Sequence, residues 1–206
     1  MIYAPKHFTE TDQTTLRQLI RKNNFATLVS GKGNDPVVTH VPVLIDEAGQ
    51  CLQCHVARAN PLWRDFTSDQ ELLFIFHGPH HYVSPDWYAN ELPSVPTWNY
   101  AVVHVHALPT IVENREEVVS MLQRLVAEHE SSRQTPWPMD LPTDYLSKML
   151  EGIVAFEARI TRMEGKFKLS QNRPMADRRN VIAALGESGG DNAAELAALM
   201  QLATQR

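Results

Sequence analysis

A series of short apolar runs, most of them joined by turn-forming residues rather than by helices, constrains this chain more than any other feature. They are "FATLVS" (25–30), "PVVTHVPVLI" (36–45), "CLQCHV" (51–56), "ELLFIFHG" (71–78), "TWNYAVVHVHALPTIV" (97–112) and "IVAFEARITRME" (153–164). The last alternates cleanly. Val154, Phe156, Ala158 and Ile160 fall on one side, and Glu157, Arg159 and Thr161 on the other. That is the two-residue period of a half-buried strand. "GKGND" (31–35) and "DEAGQ" (46–50) supply glycine-containing turns between runs, as hairpins require. Pro42 lacks an N–H for a ladder and predicts an edge or a bulge within its run. A doubly wound parallel sheet would need a helix after each strand, and that spacing is missing. The pattern predicts an α+β fold built on a closed or partly closed antiparallel barrel.

Helices sit between and after these strands. Residues 9–22 read as one, capped by Thr9 or Asp12, with Leu16, Leu19 and Ile20 as its apolar stripe. Asn60 followed by Pro61 marks the start of a short helix. Asn114 with Glu117 marks a longer one, whose Val118, Leu122, Leu125 and Val126 share a face. A Pro-rich loop (131–142) leads to a short helix over 143–151 that Gly152 ends. "GKFKLSQNRP" (165–174) reads as a turn and loop, and two helical runs follow near 175–185 and 191–203.

The 206 residues suit one domain with a core of its own, or a domain with a small appendage. A net charge of −5 argues against a surface devoted to nucleic acid. No segment has the length of a membrane span and no leader pattern is visible, so a cytoplasmic location is expected. Cys51 and Cys54 form an isolated C-x-x-C. On a strand they point to opposite faces, so they read as two small buried hydrophobes rather than a redox or zinc pair.

Chemistry-bearing residues concentrate in three places. In "HGPHHYVSPDWY" (77–88) and "VPTWNY" (95–100), Tyr82, Trp87, Tyr88, Trp98 and Tyr100 offer flat apolar surfaces. His77, His80, His81, Ser84 and Asn99 offer polar edges. This mixture suits a flat heteroaromatic ligand, and equally a loop packed by its own aromatics. His104 and His106 share a strand face and, with the earlier histidines, would be the material of a metal or haem site. Hydrogen-bonded histidines are the simpler reading, and no metal is expected. Arg58, just before the Asn60–Pro61 helix start, fits either a phosphate cradle or an ordinary capped helix with a solvated arginine. Ser84 and Ser170 lack the surroundings of a nucleophile and read as turn residues. Lys166, Lys168, Arg173, Arg178 and Arg179 form a basic cluster for a phosphate, a partner or a solvated face. There is no helix-turn-helix, so neither charge nor motif supports DNA contact.

Taken in order, "APKHF" (4–8), "HVARANPLW" (55–63), "HGPHHYVSPDWY" (77–88), "VPTWNYAVVH" (95–104) and "GKFKLSQNR" (165–173) resemble the FMN-binding negative transcriptional regulators of the PaiB type. The resemblance implies an antiparallel split β-barrel, like that of pyridoxamine-phosphate oxidases, with flanking helices, and a homodimer. It implies an FMN-binding split-barrel domain over 1–174 with a helical tail over 175–206. By position in the family it implies that Thr39, His40, Val41 and Pro42 line the flavin. His55, Arg58 and Asn60 would face its phosphate, and Trp98 and Asn99 would come near the ring. Where the oxidases carry a second basic residue, this chain has His40, so FMN is expected to be held weakly. A regulator is the function implied. The alternative is a flavin-dependent oxidoreductase or flavin reductase acting on a small molecule.

Overall fold

The computed structural model describes residues 2–31, 35–89 and 93–204. Parts of the expected turn at 31–35 and of the stretch after Trp87, namely residues 32–34 and 90–92, lie outside the described residues. The chain runs β1 (Thr9–Glu10), α1 (Gln13–Lys22), β2 (Phe25–Ser30), β3 (Val37–Pro42), β4 (Leu44–Ile45), β5 (Cys51–Ala57), β6 (Leu72–Val83) and β7 (Thr97–Ile111). It continues with α2 (Arg115–Glu130), α3 (Thr143–Glu151), β8 (Ile153–Lys168), α4 (Met175–Ser188) and α5 (Asp191–Thr204). Among the described residues these strands form one eight-stranded sheet in the order β3-β2-β6-β7-β8-β5-β4, with β1 added to β8. The β2–β3, β2–β6, β4–β5 and β5–β8 pairs are antiparallel, as the hairpin-rich sequence predicts.

Several boundaries differ from the sequence reading, each for a local reason. The first helix opens later than expected because Asp12 is its cap: its carboxylate accepts from the Thr15 N–H at 2.8 Å. Thr9 instead pairs with Lys166 in the β1–β8 ladder. The run 36–45 breaks at Val43, whose N–H goes to the Asn24 carbonyl at 2.8 Å. Pro42 thus ends β3, the last strand in the sheet order, where its missing N–H costs little. The stretch "HGPHHYV" is no loop: it continues β6 to Val83. β8 likewise runs through Gly165. A side chain there would start 2.3 Å from Leu16 Cδ2 and 3.0 Å from the Glu10 carbonyl oxygen, so the residue that suggested a turn is needed for close packing. The helix after Asn60 is a single 3₁₀ stretch, Pro61–Asp65, with the Asn60 side chain accepting from the Leu62 N–H.

The fold comprises two compact units. The second contains Ile20–Phe76 and Val105–Met163. Its core includes Leu28, Val41, Val43, Leu52, Phe74, Phe76, Val105 and Phe156, with the Phe66 and Phe156 rings edge-on at 4.7 Å. On α2 the buried face is Val118, Met121 and Leu125. Val118 and Met121 form a cluster with Ala155, against which Leu122 packs in part. The first unit gathers the stretch up to Leu19, His77–His104, and the chain from Glu164 onward. Its buried residues include Leu16, Val83, Val103, Phe167, Val181, Leu185, Leu196 and Met200.

Candidate functional site

In the second unit the segment Arg58–Asn60 is held from two directions. Arg58 donates through Nε to the Glu151 carbonyl at 2.6 Å and through Nη2 to the Ile153 carbonyl at 2.7 Å. The guanidinium has five N–H groups, so these two bonds leave three for other acceptors. It also lies 5.9 Å from the Trp63 ring centroid, while Trp63 Nε1 donates to the Arg58 carbonyl at 3.0 Å. Asn60 faces elsewhere. Its amide donates to Thr39 Oγ1 at 3.2 Å, and its oxygen caps the 3₁₀ stretch. One side chain therefore ties that stretch to strand β3.

The residues expected to line a flavin along β3 divide between its two faces. Val41 is buried, whereas His40 is exposed and its ring lies 6.3 Å from that of Phe25 at an interplanar angle of 23°. Adjacent strand residues must part in this way, so what Thr39–Pro42 share is the strand's backbone. His55, on β5, points to the same side as its partner Ala155. Its Nδ1 is buried with no hydrogen-bond partner, and burial lowers its pKa below 6.5. The absence of a long α-helix after Asn60 weakens the expected dipole contribution. An anion grip at this segment would rest on the cation and on backbone donors.

Arg58 also lines a cavity of about 480 Å³ with Trp63, Glu113, Arg115, Ser147 and Glu151. Arg115 donates to the Ser147 hydroxyl. Sequence reasoning missed Arg115 as a companion of Arg58, since the two come from α2 and from the end of β5 and no local pattern links them.

Trp98 and Asn99 belong to the first unit and, being neighbours on β7, also point to opposite faces. Asn99 is fully buried, with its amide bonded to Ser170 Oγ at 2.8 Å and to Met200 Sδ at 3.5 Å. Trp98 is 53% exposed. Its ring stands 6.2 Å from those of both His80 and Tyr82. The histidine- and tyrosine-rich run at 77–83 thus gathers, in part, around Trp98. A cleft of about 260 Å³ lies there, lined by Tyr3, Phe8, Thr97, Trp98, Tyr100, Lys166 and Lys168.

The other chemical candidates resolve into structural roles. His106, in the second unit, stands 3.4 Å from the Glu71 carboxylate and 3.0 Å from an Arg162 nitrogen. Among the described residues, no group of three or more His, Cys, Asp or Glu side chains could hold a metal ion. Cys51 and Cys54 are free thiols on opposite sides of β5. Ser84 caps the Pro85–Trp87 turn, and Ser170 sits at φ 62° as a bonding partner of Asn99. No helix among the described residues is long and apolar enough to cross a membrane.

Residues 2–162 match the family model described as "Putative FMN-binding domain". The chain is 34% identical over 203 residues to the protease synthase and sporulation protein PAI 2 of Bacillus subtilis (strain 168), covering 97% of each. Among solved structures, it is similar to the flavocytochrome Anf3 of Azotobacter vinelandii, with a TM-score of 0.63 at 14% identity over 80% of this chain and 72% of that one. It is also similar to the FAD and heme binding protein of Mycobacterium smegmatis, with a TM-score of 0.61 at 13% identity over 89% and 80%. These likenesses bear out the expected α+β split-barrel fold.

Proposed function

We propose, from the premise that this chain belongs to the PaiB-type FMN-binding family whose model it matches, that it is a flavin-binding homodimer that lowers transcription. The flavin phosphate is assigned to His55 and the Arg58–Asn60 segment, and the ring to strand β3. The observation that carries this is the division of labour around Arg58. Two carbonyl bonds fix the guanidinium in place, and its three remaining N–H groups suit a phosphate, which prefers a forked donor. Asn60 positions the same segment against Thr39. The second cation that His40 does not supply is assigned to Arg115, which shares the cavity with Arg58. Glu113 and Glu151 line that cavity too, which is consistent with weak retention of FMN. When bound, FMN would supply electron-transfer chemistry; the chain's part is to bind and orient it.

The homodimer reading draws on the outer face of β2 and β3. Phe25 is 63% and Val38 53% exposed there, on the last strand pair of the sheet order, which is a natural place for a second copy. With a net charge of −5, the regulatory effect is assigned to metabolism or a protein partner rather than to direct DNA contact. A flavin-dependent oxidoreductase is the second reading. It is favoured by the neighbour named as a flavocytochrome and by the aromatic cleft beside Trp98.

Titration of the purified chain with FMN, followed by quenching of flavin fluorescence, tests the central reading. Saturable binding is expected, weakened at least about tenfold in Arg58→Ala. Absence of saturable binding, or an unchanged affinity in the variant, removes the assignment. A solution mass equal to one chain removes the homodimer. Reduction of bound flavin by NADH or NADPH would favour the oxidoreductase. A salt-sensitive DNA shift, lost on substituting Lys166, Lys168 and Arg173 together, would restore direct repression.

A further inference from the structure

Two alternating pairs, Trp98 and Tyr100 on β7 and Lys166 and Lys168 on β8, lie on neighbouring strands of the sheet. Each pair is spaced by two, so each projects to one face. Tyr3 and Phe8, from the chain's beginning, complete the cleft of about 260 Å³. Three aromatic walls, Tyr3, Trp98 and Tyr100, suit a molecule of one or two rings.

The two ammonium groups have unusual company. Lys166 Nζ stands over the Tyr3 ring at 5.2 Å and the Tyr100 ring at 5.5 Å. Lys168 Nζ donates to Thr97 Oγ1 at 2.5 Å and to the Trp98 carbonyl at 2.6 Å, both neutral oxygens. An ammonium has three donors, so Lys168 keeps one. Burial and then the positive charges of Lys166 and Arg173 hold its pKa below the usual lysine value. The protonated form is thus held against a local excess of positive charge, which a bound anion would offset. The cleft walls are apolar faces left uncovered, with Tyr3 83% and Trp98 53% exposed.

We propose that this cleft binds a small planar aromatic carboxylate, its ring among Tyr3, Trp98 and Tyr100 and its carboxylate on Lys166 and Lys168. The site is built from the first unit alone and does not rest on the flavin assignment, which uses residues of the second. Aromatic walls with a few convergent polar groups are the usual composition of a small-ligand site, and the paired cations decide the sign of its ligand. A merely adhesive role, with Lys166 pinning Tyr3 by cation–π contact, predicts no preference for an anion.

Calorimetric titration of the full chain with 2-naphthoate and with its neutral analogue 2-naphthamide at low salt separates these cases. The acid is expected to bind at least about tenfold more tightly than the amide, the ratio that loss of one charge-assisted contact implies. Lys166→Met is expected to reduce that preference severalfold, since Lys168 alone then faces the carboxylate, while Trp98→Ala weakens both ligands. Lys168 also braces Thr97 and Trp98, so its replacement is a poorer probe than Lys166. The contrast between acid and amide on the unaltered chain needs no variant at all. Equal affinity for the two, or an unchanged preference in Lys166→Met, overturns the proposal. So does displacement of naphthoate by FMN, which would make the cleft part of the flavin site. Failure of FMN to bind at all would leave the naphthoate result standing.

Discussion

Arg58 Nε and the carbonyl oxygen of Glu151, 93 residues further along, meet at 2.6 Å. Glu151 is the last residue of α3, where carbonyls lack helical partners and a cation is favoured. With the second bond to Ile153, one exposed arginine joins the end of β5 to the junction of α3 and β8. The same residue is assigned to the flavin phosphate, so its structural and binding contributions must be separated.

Arg58→Ala is expected to lower stability by about 1 kcal/mol in the absence of flavin, the usual scale for exposed bonds of this kind. Arg58→Lys keeps the charge but not the fork. It is expected to recover part of FMN affinity and little of the stability. Urea midpoints read beside FMN titrations check both.

Gly165→Ala is expected to cost about 1–3 kcal/mol. The added methyl would start 2.3 Å from Leu16 Cδ2, and Leu16 is fully buried, so the leucine has little room to yield. Pairing the change with Leu16→Ala relieves the clash, so the double variant should lose less than the sum of the single losses. Thermal or urea denaturation of the three variants reads this directly.

Burial holds the His55 imidazole below its ordinary pKa of 6.5. The unfolded chain accepts a proton there before the folded chain does. This contribution to stability is therefore complete above pH 6.5 and is lost as the pH falls from that value through the lowered folded pKa. A His55→Gln variant is expected to show a shallower loss of stability over that window. Urea midpoints at pH 7.5 and 5.5 compare the two chains.

Native thiol reactivity is expected to be low. Burial, with the Glu157 carboxylate adding to it, pushes Cys51 up to about 11, and burial pushes Cys54 well above its usual value. Thiolate is the reactive form, so a thiol reagent at neutral pH should label both cysteines slowly in the folded chain and quickly in urea. Rapid labelling of the native protein would revive a redox role for the pair.

Local chemistry made much of this protein legible from residue order. Two-residue alternation at 153–164, the Asn114 and Asn60 caps and the glycine-containing turn at 46–50 all act within a few residues of themselves, and the structure contains them. The family motifs were equally plain, and with them the fold. What residue order left open depended on distant neighbours. Gly165 reads as a turn until Leu16 and Glu10 are packed against it, and the run at 77–83 reads as a loop until it is taken into β6. The candidate site divides in the same way. That Arg58 and Asn60 are candidates could be seen locally. Arg58's hold on Glu151, its cavity shared with Arg115, and the meeting of Trp98 and Tyr100 with Lys166 and Lys168 could not. Propensity and capping are settled over a few residues, whereas contacts between side chains far apart in sequence exist only once the sheet has brought their strands together.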